Sequence, residues 1–363
     1  MRRTEALAIS LTLIVLLAAC GGASQRPSKQ RAATTPPTTR ASTTTQTSAK
    51  HVSHKRTPRP PFRVGSVSLT LREPASAVIA TTRTPTGSSV RVLPTVVRYP
   101  ATGTPDGRAT PGATPARAAG PFPLLVFSQG YDMPAAAYSW LMNAWSSAGF
   151  VVAAPTYPRT NPTSPGGPDE ADIINHPADL RSVIASLRKS RIPGAKAITG
   201  LIDPREVAVI GQSDGGDVSL AVAAGSCCRD RAVKAVVILS GAELQAFGGG
   251  YYNTGSVPLL VVQGSADTIN PPGCSIELYD QAPRPKYYLE LVGAQHLQPY
   301  VDPGRDRSLV ATAVLDFLGR YLEGRAAAIR KLARDGNAPP VASLITRATG
   351  PGAQTYCPGA PAP

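Results

Sequence analysis

Val207-Ala208-Val209-Ile210-Gly211-Gln212-Ser213-Asp214-Gly215 decides how this 363-residue chain is read. Four apolar, largely β-branched residues form a strand of the kind buried on both faces. The Gly-Gln-Ser-Asp-Gly that follows has the G-x-S-x-G spacing of a sharp strand-to-helix turn, and the small, apolar run from Asp214 to Gly225 supplies the helix. Such a turn lifts Ser213 on strained backbone at the strand's carboxyl end. Gly211 and Gly215 leave out side chains that would clash across the bend. The first N–H groups of the helix, and its dipole, then face any negative charge developing beside Ser213. A structural serine in a glycine-rich turn is the bland alternative.

Working outward, short apolar runs alternate with helical patterns. Leu124–Phe127, Phe150–Ala154, Ala235–Leu239, Leu259–Val262 and Tyr287–Val292 read as further strands. Ala135–Ala148, Pro177–Ser190, Asp214–Gly225 and Arg307–Leu332 read as helices. Continuous apolar strands separated by helices predict a mainly parallel central sheet with helices on both faces. Phe62–Leu71 and Ser89–Tyr99 alternate apolar with polar residues and predict an antiparallel N-terminal edge. Ligands bind beyond the carboxyl ends of the strands in such sheets, so functional residues are expected just after each one.

A serine hydroxyl is a weak nucleophile without a base. The chain has four histidines: His51, His54, His176 and His296. Only His296 follows Ser213, in the loop Gly293-Ala294-Gln295-His296 after the last predicted strand. His176, in Asn175-His176-Pro177, reads as a helix-start or pocket-wall residue. An acid should orient the imidazole and stabilise its charged form. Asp267, in the turn-rich stretch Gly264-Ser265-Ala266-Asp267, is favoured, with Glu243 after Ala235–Leu239 as competitor. Asp302, next to Pro303, reads as a helix lead-in. Two backbone donors should face an oxyanion: the N–H of Asp214, and the N–H of Tyr131 after Ser128-Gln129-Gly130, where Gly130 permits close approach.

The two ends are built differently. Arg2 and Arg3 precede an uncharged run ending Leu17-Ala18-Ala19-Cys20. That run is short for a membrane span and has the form of an export signal over residues 1–19. Residues 20–61 are rich in Thr, Ser, Pro, Lys and Arg with no acid, a composition expected to stay disordered as a basic tether. Residues 1–63 hold eleven Lys or Arg and one Glu, and so carry ten of the fourteen net positive charges. The basic balance therefore describes the tether and gives no sign of a nucleic-acid groove. Residues 62–335 suit a single α/β domain, and 336–363 form a Pro/Gly/Ala-rich tail. Four cysteines besides Cys20 predict disulfides in an exported protein, with Cys227 and Cys228 bonded separately to Cys274 and Cys357. A zinc site is the alternative, but it has no CxxC pair or neighbouring His to support it.

These residues resemble the α/β-hydrolase family over roughly 62–335. Within it they resemble the bacterial platelet-activating-factor-acetylhydrolase-like, chlorophyllase-like and polyester (cutinase-like) branch. The carrying stretches are Pro123–Tyr131, Ala148–Pro155, Pro177–Leu180 and the surroundings of Ser213, Asp267 and His296. Leu17-Ala18-Ala19-Cys20-Gly21 resembles a bacterial lipobox, which implies a lipidated Cys20 anchoring the protein to a membrane outside the cytoplasm. The resemblance implies Ser213, Asp267 and His296 as a catalytic triad, and Tyr131 and Asp214 as oxyanion donors. The chain departs from many relatives at Gln129, where they carry His, and from the polyester hydrolases at Asp214, where Met is frequent. The expected activity is hydrolysis of carboxylic esters (small-molecule, lipid or polymer) by a monomer without cofactor or metal. Peptidase or acyl-transfer chemistry on the same residues, and a non-catalytic surface-binding lipoprotein, are the alternatives.

Overall fold

The computed structural model describes residues 61–73, 79, 81, 90–189, 194–244, 247, 248 and 250–345. The stretch 1–19 read as an export signal, Cys20, nearly all of the stretch read as a tether with His51 and His54, and Cys357 near the C-terminal end lie outside the described residues.

Among the described residues ten strands form one sheet: β1 Arg63–Glu73, β2 Arg91–Ala101, β3 Ala109–Pro111, β4 Phe122–Ser128, β5 Val151–Pro155, β6 Ile202–Gln212, β7 Val233–Leu239, β8 Leu259–Gly264, β9 Lys286–Leu291 and β10 Ala342–Ile345. Their spatial order is β10-β9-β8-β7-β6-β4-β5-β2-β1-β3. From β9 to β5 all neighbours are parallel. β2 runs antiparallel to both β5 and β1, which is the expected antiparallel N-terminal edge. This is the α/β-hydrolase fold.

The helices are α1 Ser139–Ser147, α2 His176–Leu187, α3 Asp214–Ala224, α4 Pro272–Gln281, α5 Gln298–Val301, α6 Arg305–Tyr321 and α7 Ala328–Asp335. The central strands show why they are apolar throughout. Leu124 and Val126 of β4, with Val207 and Val209 of β6, pack into the core under α2, α3 and α4. Leu125 and Phe127, with Ala208 and Ile210, pack into the opposite core under α1, α6 and α7. Successive side chains point to opposite faces, so a strand covered on both sides has no position for a polar residue. β1 and β2 alternate buried and exposed positions along much of their length, as the early alternation required.

Several features differ from the sequence expectation. The long helix expected over Arg307–Leu332 is two helices, because the chain turns at Gly324 with φ +68°. α4 begins at Pro272, inside a stretch whose Pro-Pro-Gly reads as a loop. β10 pairs antiparallel with β9 and carries the sheet beyond residue 335. The cysteine expectation is corrected. Cys227 and Cys228 bond to each other, with Cα atoms 3.8 Å apart, so neither is free for a separate partner. The chain is turning there, and the Cys228 N–H reaches back to the Gly225 carbonyl. A turn can bring neighbouring sulfurs together where extended backbone would send them to opposite sides. Cys274, buried in α4, is disulfide-bonded as well.

Candidate active site

β6 ends at Gln212 and α3 starts at Asp214, with Ser213 alone between them at φ 53°, ψ −129°. A non-glycine residue there is strained, at a cost of about 1–3 kcal/mol that surrounding structure must offset. The bend is held by the Ser213 N–H on the Leu239 carbonyl at 2.9 Å and the Gly216 N–H on the Ser213 carbonyl at 2.7 Å. A Cβ on Gly211 would lie 1.8 Å from the Gly215 carbonyl oxygen, so a side chain there would abolish the turn.

The loop after β9 brings His296 to Ser213, with Nε2 2.9 Å from Oγ. The loop after β8 brings Asp267 to the other ring nitrogen, Oδ2 lying 2.9 Å from Nδ1. Asp267 is itself fixed. Its Oδ1 accepts the N–H groups of Ile269 and Asn270 at 2.9 Å each, and its Oδ2 accepts Gln263 Nε2 at 3.0 Å. The Ala266 N–H donates to the Ala294 carbonyl, which ties the acid loop to the histidine loop. With the carboxylate on Nδ1–H, Nε2 is left as the acceptor facing the hydroxyl. Glu243 lies elsewhere: burial raises its carboxyl to about 7, and the charge of Glu277 adds to the rise. Asp302 caps α5. His176 begins α2, buried and stacked on the Tyr157 ring at 3.8 Å.

The loop after β4 presses on the nucleophile. A Cβ on Gly130 would lie 3.1 Å from Ser213 Cβ, which places the Gly130–Tyr131 backbone over the strand end. Asp214 is the first residue of α3 and is 4% exposed. Burial pushes its carboxyl up to about 8, the charge of Glu170 adds to the rise, and its own N–H partly offsets it.

Two residues that sequence reading passed over join these parts. The Tyr138 hydroxyl, beside the Gly130 N–H, donates to Gln212 Oε1 at 2.7 Å. Gln212 Nε2 donates to the His296 carbonyl at 3.2 Å and faces His296 Nε2 at 3.3 Å. The variable position of G-x-S-x-G thus spans from the Gly130 loop to the imidazole. Its one sequence signal was a long amide at the end of an otherwise apolar strand.

A second polar group lies behind the same loop. Arg91 donates to Asp172 at 2.7 and 3.0 Å and to Asp179 at 2.7 to 3.1 Å, with all three side chains buried. His176 sits between Asp172 and Thr160. Tyr157, stacked on His176, shares a 2.7 Å hydrogen bond with Ser128 at the base of the Gly130 loop.

No curated protein matches the chain. Residues 106–241 match the family model described as Chlorophyllase, a segment that runs from before β4 through Ser213 and stops short of Asp267 and His296. That similarity and the sheet topology agree on the α/β-hydrolase fold.

Proposed function

We propose that this protein is a serine hydrolase that cleaves carboxylic esters through an acyl-enzyme, with Ser213 as nucleophile, His296 as general base and acid, and Asp267 orienting the imidazole. The observation that carries the reading is the unbroken chain Ser213 Oγ–His296 Nε2 at 2.9 Å and His296 Nδ1–Asp267 Oδ2 at 2.9 Å. The similarity to chlorophyllases over residues 106–241 supports ester chemistry.

Ser213 Oγ attacks the ester carbonyl carbon while its proton passes to His296 Nε2. The carbonyl oxygen becomes an oxyanion facing the N–H groups of Tyr131 and Asp214 at the positive end of α3. The ester C–O bond then breaks and the imidazolium proton goes to the departing alcohol, leaving an acyl-Ser213. Water attacks that carbonyl, giving its proton to His296 Nε2. Ser213 leaves with the proton returned, and the carboxylic acid is released. Asp267 stays ionised throughout and stabilises the imidazolium.

Hydrolysis of p-nitrophenyl esters and labelling by a fluorophosphonate test the assignment. Ser213→Ala should lower kcat by at least about 10⁴-fold and abolish labelling. Equal labelling of the wild-type and variant proteins would remove Ser213 from the mechanism.

A further inference from the structure

We propose that the Tyr131 side of this site is a subsite for an organic cation, so that the ester cleaved at Ser213 carries an ammonium, quaternary ammonium or guanidinium group. The inference rests on the serine-esterase reading and narrows its substrate class.

Tyr131 is half-buried and follows Gly130, the residue that presses on Ser213, and its hydroxyl reaches the Pro168 carbonyl at 3.4 Å. Burial, and after it the neighbouring acidic side chains Glu170, Asp132, Asp169 and Asp214, hold its phenol proton on more tightly than usual. None of the four takes part in an ion pair among the described residues, in a chain with 37 Lys and Arg. Two of them, Asp214 and Asp169, have a buried Oδ2 with no hydrogen-bond partner. An unsatisfied buried acceptor costs about 1–3 kcal/mol. The charge of Glu170 adds to the burial that raises the Asp214 carboxyl. Acceptors left open beside a candidate nucleophile call for a partner that arrives with the ligand.

The arrangement also says what kind of partner. Among the described residues no three His, Cys, Asp or Glu side chains come together in a way that could hold a metal ion. The Tyr131 hydroxyl at the Pro168 carbonyl, directly before Asp169 and Glu170, instead suits a large, weakly hydrated cation, which gains from the ring as well as from the charges. Since Tyr131 and Asp214 are also the expected oxyanion donors, such a cation would sit within a few atoms of the scissile carbonyl.

The test compares butyrylcholine with its uncharged carbon isostere, 3,3-dimethylbutyl butyrate, on the full-length protein. The measured quantity is the ratio of their kcat/KM values, which cancels any general loss in a variant. We expect a ratio of at least tenfold, carried mainly by KM and falling as salt is raised. In Asp169→Asn/Glu170→Gln the ratio should collapse towards one. A wild-type ratio near one, or a ratio that survives the double substitution, overturns the inference while leaving ester hydrolysis intact. If neither ester turns over, the rates at which choline-bearing and neutral fluorophosphonates label Ser213 give the same ratio. A folded protein that takes neither label overturns the serine-hydrolase reading and this inference with it.

Discussion

Glu170 and Asp172 stand two residues apart on the short 3-10 helix Glu170–Asn175 and meet opposite surroundings. Asp172 is fully buried and held by Arg91, which also holds Asp179. Glu170 adds its charge to that on Asp214, and neither it nor its acidic neighbours Asp132, Asp169 and Asp214 take part in an ion pair among the described residues. One group of carboxylates is neutralised within the chain, and the other is left open. The first resembles a structural fixture: it locks the start of β2 to α2 and, through His176 and Tyr157, steadies Ser128 beneath the Gly130 loop. The second is what a binding site looks like before its ligand arrives.

The comparison breaks most visibly at Arg91. Arg91→Met should cost about 3–5 kcal/mol, because it leaves two buried carboxylates without their cation. Urea denaturation would show this as a lower midpoint, and adding Asp179→Asn should recover part of the loss. If Arg91→Met unfolds no more easily than wild type, the buried group is not the fixture described, and the contrast with the open group disappears.

Gln212 sharpens the contrast from the site side, since it is polar, buried and bonded at both ends. Gln212→Leu removes its bonds to Tyr138 and to His296 together. We expect kcat to fall on the order of 10- to 100-fold, the scale on which a misplaced catalytic group loses rate, with KM nearly unchanged. A larger change in KM than in kcat would make Gln212 part of the substrate site instead.

Asp214 connects the comparison to pH. Its carboxyl is raised from 3.8 to about 8, first by burial and then by Glu170. It is therefore neutral below about 8 and becomes a negative charge beside the oxyanion above it. Activity on a neutral ester should decline as pH passes through about 8, and Asp214→Asn should flatten that decline. The folded protein also holds this proton more tightly than the unfolded chain does. The contribution of Asp214 to stability therefore falls as pH rises between 3.8 and about 8. Denaturation midpoints of Asp214→Asn should exceed those of wild type at pH 8.5 by more than at pH 5. An unchanged alkaline limb in the variant would mean that another group sets it.

The two groups also differed in how far they could be read from sequence. The sheet was legible because strands buried on both faces must be apolar throughout, and the turn at Ser213 was legible because its glycines sit at fixed spacing. Ser213, Asp267 and His296 could be nominated from chain order and strand ends alone. Arg91, Asp172 and Asp179 could not. Their pairing spans 81 and 88 residues, and each looks like an ordinary surface charge in its own window. The same holds for the bond from Tyr138 to Gln212, 74 residues apart. Cys227 and Cys228 misled for a local reason: neighbouring cysteines were expected to bond to distant partners, and the turn there brings their own sulfurs together. α4 was hidden behind its own first residue, because proline at a helix start reads as a loop until the rest of the helix is seen.

The smallest expected effect is the most discriminating for the open group. If Asp169 and Glu170 have no partner within the chain, removing their charge takes away nothing that holds the fold together. Asp169→Asn and Glu170→Gln should each leave stability within about 0.5 kcal/mol of wild type, and the double variant should be no less stable at alkaline pH, where mutual repulsion is greatest. Denaturation measured with and without tetramethylammonium then separates the two groups. A cation that binds only the folded site raises the wild-type midpoint in proportion to its occupancy. It should leave the double variant unmoved, and it should still raise the midpoint of any Arg91 variant that folds, since the sealed carboxylates lie out of its reach. A loss of stability in Glu170→Gln comparable to that of Arg91→Met would mean that its charge is compensated after all, and the open group would become a second structural fixture.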